Sequence, residues 1–158
     1  MTTFEFTDNL ATVTEKIESA IRAALIESAG EIVSKTQRDT PVDTGQLKGS
    51  WKSVIDESKY EFIVGSPLEN SVWNEFGTGH YAVKKNGRST PWYVSVDGYV
   101  GTKKPTYNGK VTIVHGKNGK EYYKTNGKRP QRTFENAINA VKPHIENHFK
   151  TKLEVTFD

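Results

Sequence analysis

Pro41 to Gly79 reads PVDTGQLKGSWKSVIDESKYEFIVGSPLENSVWNEFGTG, and how this stretch is parsed decides the fold. The residue before a proline is pushed out of the α region, so Pro41 ends any helix leading into it. Asp43-Thr44-Gly45 is a turn signature. The Asp43 carboxylate is expected to accept from backbone amides ahead of it and to cap the turn Gly45–Lys48. Ser50–Ile55 and Tyr60–Gly65 read as antiparallel strands joined at Asp56–Lys59, and Ser66-Pro67 stops the second. Asn70–Phe76 predicts a helical turn, closed by Gly77-Thr78-Gly79 with the backbone freedom that glycine supplies.

Upstream, Leu10, Val13, Ile17, Ile21, Ala24, Leu25 and Ile32 recur at helical spacing and mark one helix face. Thr7 or Asp8 is the expected N-cap. Carried to Arg38, the helix has about 30 residues and spans ~45 Å. A helix that long either lies across its own sheet or reaches a neighbour. Gly30 is a place for a kink. Before it, Thr3–Thr7 alternates like a short strand.

Downstream, Trp92–Val96, Lys110–His115 and Lys120–Lys124 are strand-like, and Asn118-Gly119 is a strong hairpin signal. Residues 80–128 therefore read as an inserted β-arm within a single domain, 1–158. Phe134, Ala137, Ile138, Val141, Ile145 and Phe149 (or His148) form the stripe of a second helix running to about Lys150. Pro143 inside it predicts a kink or two shorter helices. Lys152–Asp158 alternates like a strand and is expected to pair with Phe4–Phe6.

Composition narrows the classes. Of 158 residues 34% are hydrophobic and 11% aromatic, and mean hydropathy is −0.67. Aromatic content argues against disorder, and low hydropathy points to a thin core with large polar surfaces. With no cysteine, disulfides and thiolate metal sites are excluded. No apolar run reaches the ~18–20 residues a membrane span needs. No basic and apolar leader opens the chain, so it is expected to be a soluble protein made in a cytoplasm. Charge is segregated: residues 80–132 carry twelve Lys/Arg against Asp97 and Glu121, a net +10 that leaves −7 elsewhere in a chain of net +3.

No catalytic constellation emerges, and the chain reads as a non-enzyme without cofactor or metal. Gly77-x-Gly79-x-x-Ala82 fits a dinucleotide fingerprint in letters, but no helix follows it. His144 and His148 stand at i,i+4, a chelating spacing, without a further ligand to complete a site. Glu75, beside Trp73 and Phe76, is a candidate for a carboxyl with a raised pKa. The cations Lys84, Lys85, Arg88, Lys103, Lys104, Lys110, Lys117 and Lys120, interleaved with tyrosines, admit three readings. They are a nucleic-acid surface, a solvated hairpin, or a dock for an acidic protein.

Thr40–Ser50, Val64-Gly65-Ser66, Asn74-Glu75-Phe76-Gly77-Thr78 and Arg129-Pro130…Phe134…Ala137 stand in an order that resembles the gene-product-ten-like tail-component family of long-tailed phages. The resemblance covers residues 1–79 and 128–150. It implies an α+β fold: a long N-terminal helix, a twisted antiparallel sheet and a C-terminal helix, similar to tail-terminator proteins. It implies a virion neck protein for tail completion or head–tail joining, a hexameric ring in the particle and a monomer alone. Head-closure or portal-side proteins and tail-tube or terminator proteins are the implied neighbours, with DNA in the lumen and no membrane. Asp43 and Gly45 are implied to shape the turn, while Trp73, Glu75, Phe76, Gly77 and Thr78 lie at a fixed corner or interface. Two departures stand out: the long basic arm, and Gln131 where an apolar residue would anchor the second helix. The alternative is a nucleic-acid-binding accessory protein working through the 80–132 arm. An enzyme using His144 and His148 comes third.

Overall fold

The protein is described here from a computed structural model covering residues 9–157. The strand expected at Thr3–Thr7 and the caps Thr7 and Asp8 lie outside the described residues. The architecture is α+β. Helix α1 (Leu10–Asp39) leads through a short helix α2 (Gln46–Ser50) into a hairpin, β1 (Lys52–Asp56) and β2 (Glu61–Gly65). Helix α3 (Glu69–Phe76) and a 3-10 turn (Gly79–Tyr81) follow. The strands β3 (Trp92–Ser95), β4 (Thr112–His115) and β5 (Glu121–Thr125) come next, and α4 (Thr133–Phe157) ends the fold.

Helices α1 and α4 form the spine. They run antiparallel, because His144 meets Glu31 while His148 meets Ser28. Small side chains are prominent among the buried residues of the two helices: Ala20, Ala24, Ser28 and Ala29 on α1, and Ala137, beside Val141, on α4. Few atoms at the seam let the backbones approach closely, which suits a chain poor in large apolar residues. The expected α1 face holds at Ala24, Leu25 and Ile32, but Val13 and Ile17 are exposed. The cause is length. With the offset set by the histidines, α4 runs out roughly two turns short of the start of α1. Gly30 introduces no break in α1, and Thr40 before Pro41 is extended (ψ 124°), as the proline requires.

Two readings of α4 need correction. Pro143 neither divides nor ends the helix. It sits on the exposed face, as does Asn139, the residue whose carbonyl loses its amide partner to the proline. Lys152–Phe157 is helix, not strand. A strand needs a partner, whereas extending a formed helix adds a hydrogen bond per residue. Lys152 reaches Glu27 at 2.8 Å and Lys150 pairs with Glu154 at 3.8 Å, both in helical geometry.

The β1–β2 hairpin pairs Val54 with Ile63 and Asp56 with Glu61. Asp56 Oδ1 accepts from Ser58 N (3.1 Å) and closes the turn. One face of the hairpin lies on α1; β1 and β2 pair only with each other among the described residues. The second sheet has the order β3-β5-β4, all antiparallel, with the β4–β5 hairpin turning at Asn118-Gly119 (φ +74°) as its sequence announced. Between the hairpin and the helices stands Trp51. It is buried, stacked on Phe134 at 5.3 Å and 19°, and its carbonyl accepts from Gln37.

Candidate functional site: a locked corner, a cationic cleft and an open sheet

Asn74 to Thr78 and Asn126 to Glu135 form one unit. Glu75 is buried, and its two carboxylate oxygens accept from Phe134 N (3.0 Å) and Glu135 N (2.9 Å). Those amides belong to the first turn of α4, where no intrahelical acceptor exists. Glu75 is thus a capping anion supplied from α3 across the fold, at the positive end of the helix dipole. The acid–base role considered for it is replaced by a structural one, with both oxygens committed.

Neighbouring bonds complete the joint. Asn74 O accepts from Gln131 N (2.8 Å), and Asn74 Oδ1 accepts from Lys128 Nζ (2.9 Å). Thr78 N donates to Lys128 O (2.9 Å), and Thr78 Oγ1 accepts from Lys128 N (3.0 Å). Gly77 (φ +70°) has no room for a Cβ, which would lie 2.8 Å from Lys128 O and 2.9 Å from Pro130 Cδ. The side chain of Gln131 is exposed; Phe134 on Trp51 and the Glu75 cap anchor α4 at this point. Trp73 and Phe76 remain about half exposed on the outer side of α3. Beside them, Phe76, Val83, Phe134 and Ile138 line a groove of about 320 Å³.

Asp43 does not cap α2. Helix α2 starts from Gly45 (φ +84°), with Thr44 Oγ1 3.5 Å from Gln46 N. Asp43 Oδ1 instead accepts from Thr102 N at 3.0 Å and from the Thr102 hydroxyl. Those two bonds hold its carboxyl below the usual aspartate range, with Lys103 adding a smaller pull. The turn at 41–45 is thereby tied to the loop after β3.

Between that turn, the corner and the loop lies a cleft of about 1020 Å³. Four cations line it: Lys103, Lys104, Lys128 and Arg129. The last two belong to the twelve cations of 80–132, and Arg129 stands in one of the sequence motifs, but neither was nominated as a site residue of the arm. Their partners Asn74 and Tyr81, distant in sequence, are what place them here. Desolvation, with Lys103 close by, pushes the Lys128 ammonium below the usual lysine range. The other sequence-nominated cations fall elsewhere. Lys84, Lys85 and Arg88 follow the 3-10 turn, Lys110 precedes β4, and Lys117 and Lys120 sit at the β4–β5 turn. Of the twelve cations in 80–132, Arg132 alone forms an ion pair among the described residues, with Glu135 at 2.7 Å. Several instead cover rings: Arg129 over Tyr81 (4.7 Å), Lys124 over Tyr107 (4.1 Å) and Arg88 over Trp92 (5.9 Å).

His144 and His148 bridge the spine. His144 Nδ1 lies 2.9 Å from Glu31 Oε1, and His148 lies 3.0 Å from Ser28 Oγ and 3.4 Å from Glu31 Oε2. Among the described residues, no group of three or more His, Cys, Asp or Glu side chains is placed to hold a metal ion. No described helix is long and apolar enough to cross a membrane.

Fold and site define an α+β protein whose motif residues lock its elements together while broad surfaces stay open. Residues 4–77, a little under half of the chain, match the family model described as "Bacteriophage HK97-gp10, putative tail-component". This is the family that the sequence motifs resemble, and the match supports a structural role as a phage tail component. It spans α1 through α3 and stops short of the cationic region. No curated protein and no solved structure matches the chain.

Proposed function

We propose that this protein is a structural subunit of the phage neck that completes the tail or joins it to the head, acting as one member of a ring. The family match over residues 4–77 carries the reading. Three surfaces support it. Val54 and Ile63, directly paired across β1 and β2, are 68% and 70% exposed on the outer face of the hairpin. On that face Lys52 lies at one end and Asp56 and Glu61 at the other, flanking the apolar pair with opposite charges. Val13 and Ile17 near the start of α1, and Trp73 and Phe76 on α3, add further exposed apolar area. A stable interface needs roughly 800 Å² per partner, more than any one of these patches offers. A subunit held by several neighbours at once meets that need. Six copies around a lumen, with head-closure or portal-side proteins above and tail-tube or terminator proteins below, is the arrangement proposed.

Negative-stain imaging of particles made without this protein tests the role, and heads without attached tails are expected. Complete, infectious tailed particles would refute it. Val54→Glu with Ile63→Lys tests the surface, since both positions are exposed, the new charges face each other as an opposite pair, and the isolated protein should melt within ~0.5 kcal/mol of the parent. Failure to restore tails is expected of that variant.

A further inference from the structure

We propose that the cleft between the 41–47 turn and the 103–109 loop is a docking site for an extended, carboxylate-bearing segment of a neighbouring protein chain. Four cations face it, and the one carboxylate in its wall, Asp43, already accepts from Thr102 twice through Oδ1. None of Lys103, Lys104, Lys128 and Arg129 forms an ion pair among the described residues. Lys128 is held partly out of water, which lowers its affinity for a proton, and the charge of Lys103 close by adds a smaller repulsion. A carboxylate arriving there relieves the repulsion and exchanges some of the lost hydration for charge-assisted hydrogen bonds. Val42, Leu47, Val94 and Pro105 line the cleft together with the cations. That mixture suits a segment whose apolar side chains are interspersed with acids.

A single-stranded nucleic acid fits less well. Stacking of bases needs open ring faces. Here Arg129 covers Tyr81, and Arg88 covers Trp92. Tyr99 packs edge-on to Tyr123 at 5.7 Å, with its hydroxyl donating to Lys103 O. Acidic protein is also what the assembly supplies. Each copy carries −7 outside residues 80–132, so neighbouring subunits bring carboxylates to a +10 surface. Opposite potentials of this kind raise association rates and fix register.

The inference rests on the assembly role for the identity of the neighbour, and its test is separate. A fluorescein-labelled peptide alternating Glu with Leu is titrated into the full chain and followed by anisotropy, beside a single-stranded DNA of equal charge. Binding of the peptide is expected. Lys103→Ala with Lys104→Ala, both exposed, should weaken it about tenfold, the scale of removing charge-assisted contacts. Lys117→Ala with Lys120→Ala, equal in charge but at the β4–β5 turn, should leave it within about twofold. Thermal melts confirm that both variants fold. No peptide binding at millimolar concentration, equal loss in the two variants, or tighter cleft-dependent binding of the DNA would each overturn the proposal. If the peptide fails while particles without the protein lack tails, the docking site falls and the assembly role stands. If those particles are complete while the peptide binds, the reverse holds.

Discussion

Glu75→Ala should be among the most damaging single substitutions in the chain. The buried carboxylate satisfies two first-turn amides of α4, at 3.0 and 2.9 Å. A hydrogen bond to a charged group contributes ~1.5–3 kcal/mol, and the helix N-terminus adds ~0.3–1 kcal/mol for a nearby anion. The upper sum is discounted because Glu135 is exposed and water can reach its amide once the side chain is gone. A loss of about 3 kcal/mol remains, a large share of the ~5–15 kcal/mol typical of a whole domain. At ~2–4 °C per kcal/mol for a chain of this size, Tm should fall by roughly 6–12 °C. Glu75→Gln keeps one acceptor oxygen and turns a donor toward the other amide, so about half the loss is expected. Urea unfolding followed by circular dichroism measures both, with Glu146→Ala on the exposed face of α4 as the control. An m-value close to the parent's would show that only stability changed. A Glu75→Ala protein within ~0.5 kcal/mol of the parent would refute the capping role.

Gly77→Ala forces a Cβ to within 2.8 Å of a backbone oxygen at φ +70°, and should cost more than the ~1–2 kcal/mol of the left-handed conformation alone. Gly109→Ala, at φ +78° with open space around it, should cost only that, and paired thermal melts separate the two. Trp51→Ala should lose ~3–5 kcal/mol as a buried aromatic, and a double-mutant cycle with Phe134→Ala should return ~0.5–1.5 kcal/mol of coupling. Asp43 has a folded pKa below its unfolded value, so its contribution is present above the unfolded pKa and fades as pH falls through the folded one. Asp43→Asn should therefore destabilise the protein at neutral pH, with the gap closing below the ordinary aspartate range, as melts across pH 2–7 would register.

What was legible in the sequence was local. Pro41, the strand alternation before and after Asp56–Lys59, Asn118-Gly119 and the spacing along α1 all act over a few residues, and each appears where expected. What was not legible was the pairing of distant segments. The partner of Asp43 lies 59 residues on, at Thr102, and the amides that Glu75 caps lie 59 and 60 residues on. In both cases the carboxylate was noticed and its partner was beyond reach, so nearby turn amides or an acid–base role filled the gap. The tail failed differently. Leu153, Val155 and Phe157 alternate as a strand would, but alternation over so few residues does not outweigh a helix already running into Lys150. The α1 stripe was legible as one face, but which part of it is buried was not, because that depends on the placement of α4.

The two sequence motifs that stand some fifty residues apart are thus one device. Asn74-Glu75-Phe76-Gly77-Thr78 supplies most of the acceptors and a side-chain-free corner, while Lys128 through Glu135 supplies most of the donors and the helix start, with Thr78 N to Lys128 O running the other way. A joint fixed by that many directional bonds holds α3, the base of the second sheet and α4 at set angles. That rigidity matters for what lies on either side of it. Trp73 and Phe76 project from the outer side of α3, and Lys128 and Arg129 line the cleft. Presenting an apolar patch and a cationic recess at a fixed separation suits the proposed assembly role, in which two neighbours are met in one register. A surface of the same composition on mobile loops would have to lose conformational entropy each time a partner bound. The thin α1–α4 seam is consistent with this division: small residues hold the spine, and much of the chain's larger apolar area is left for partners.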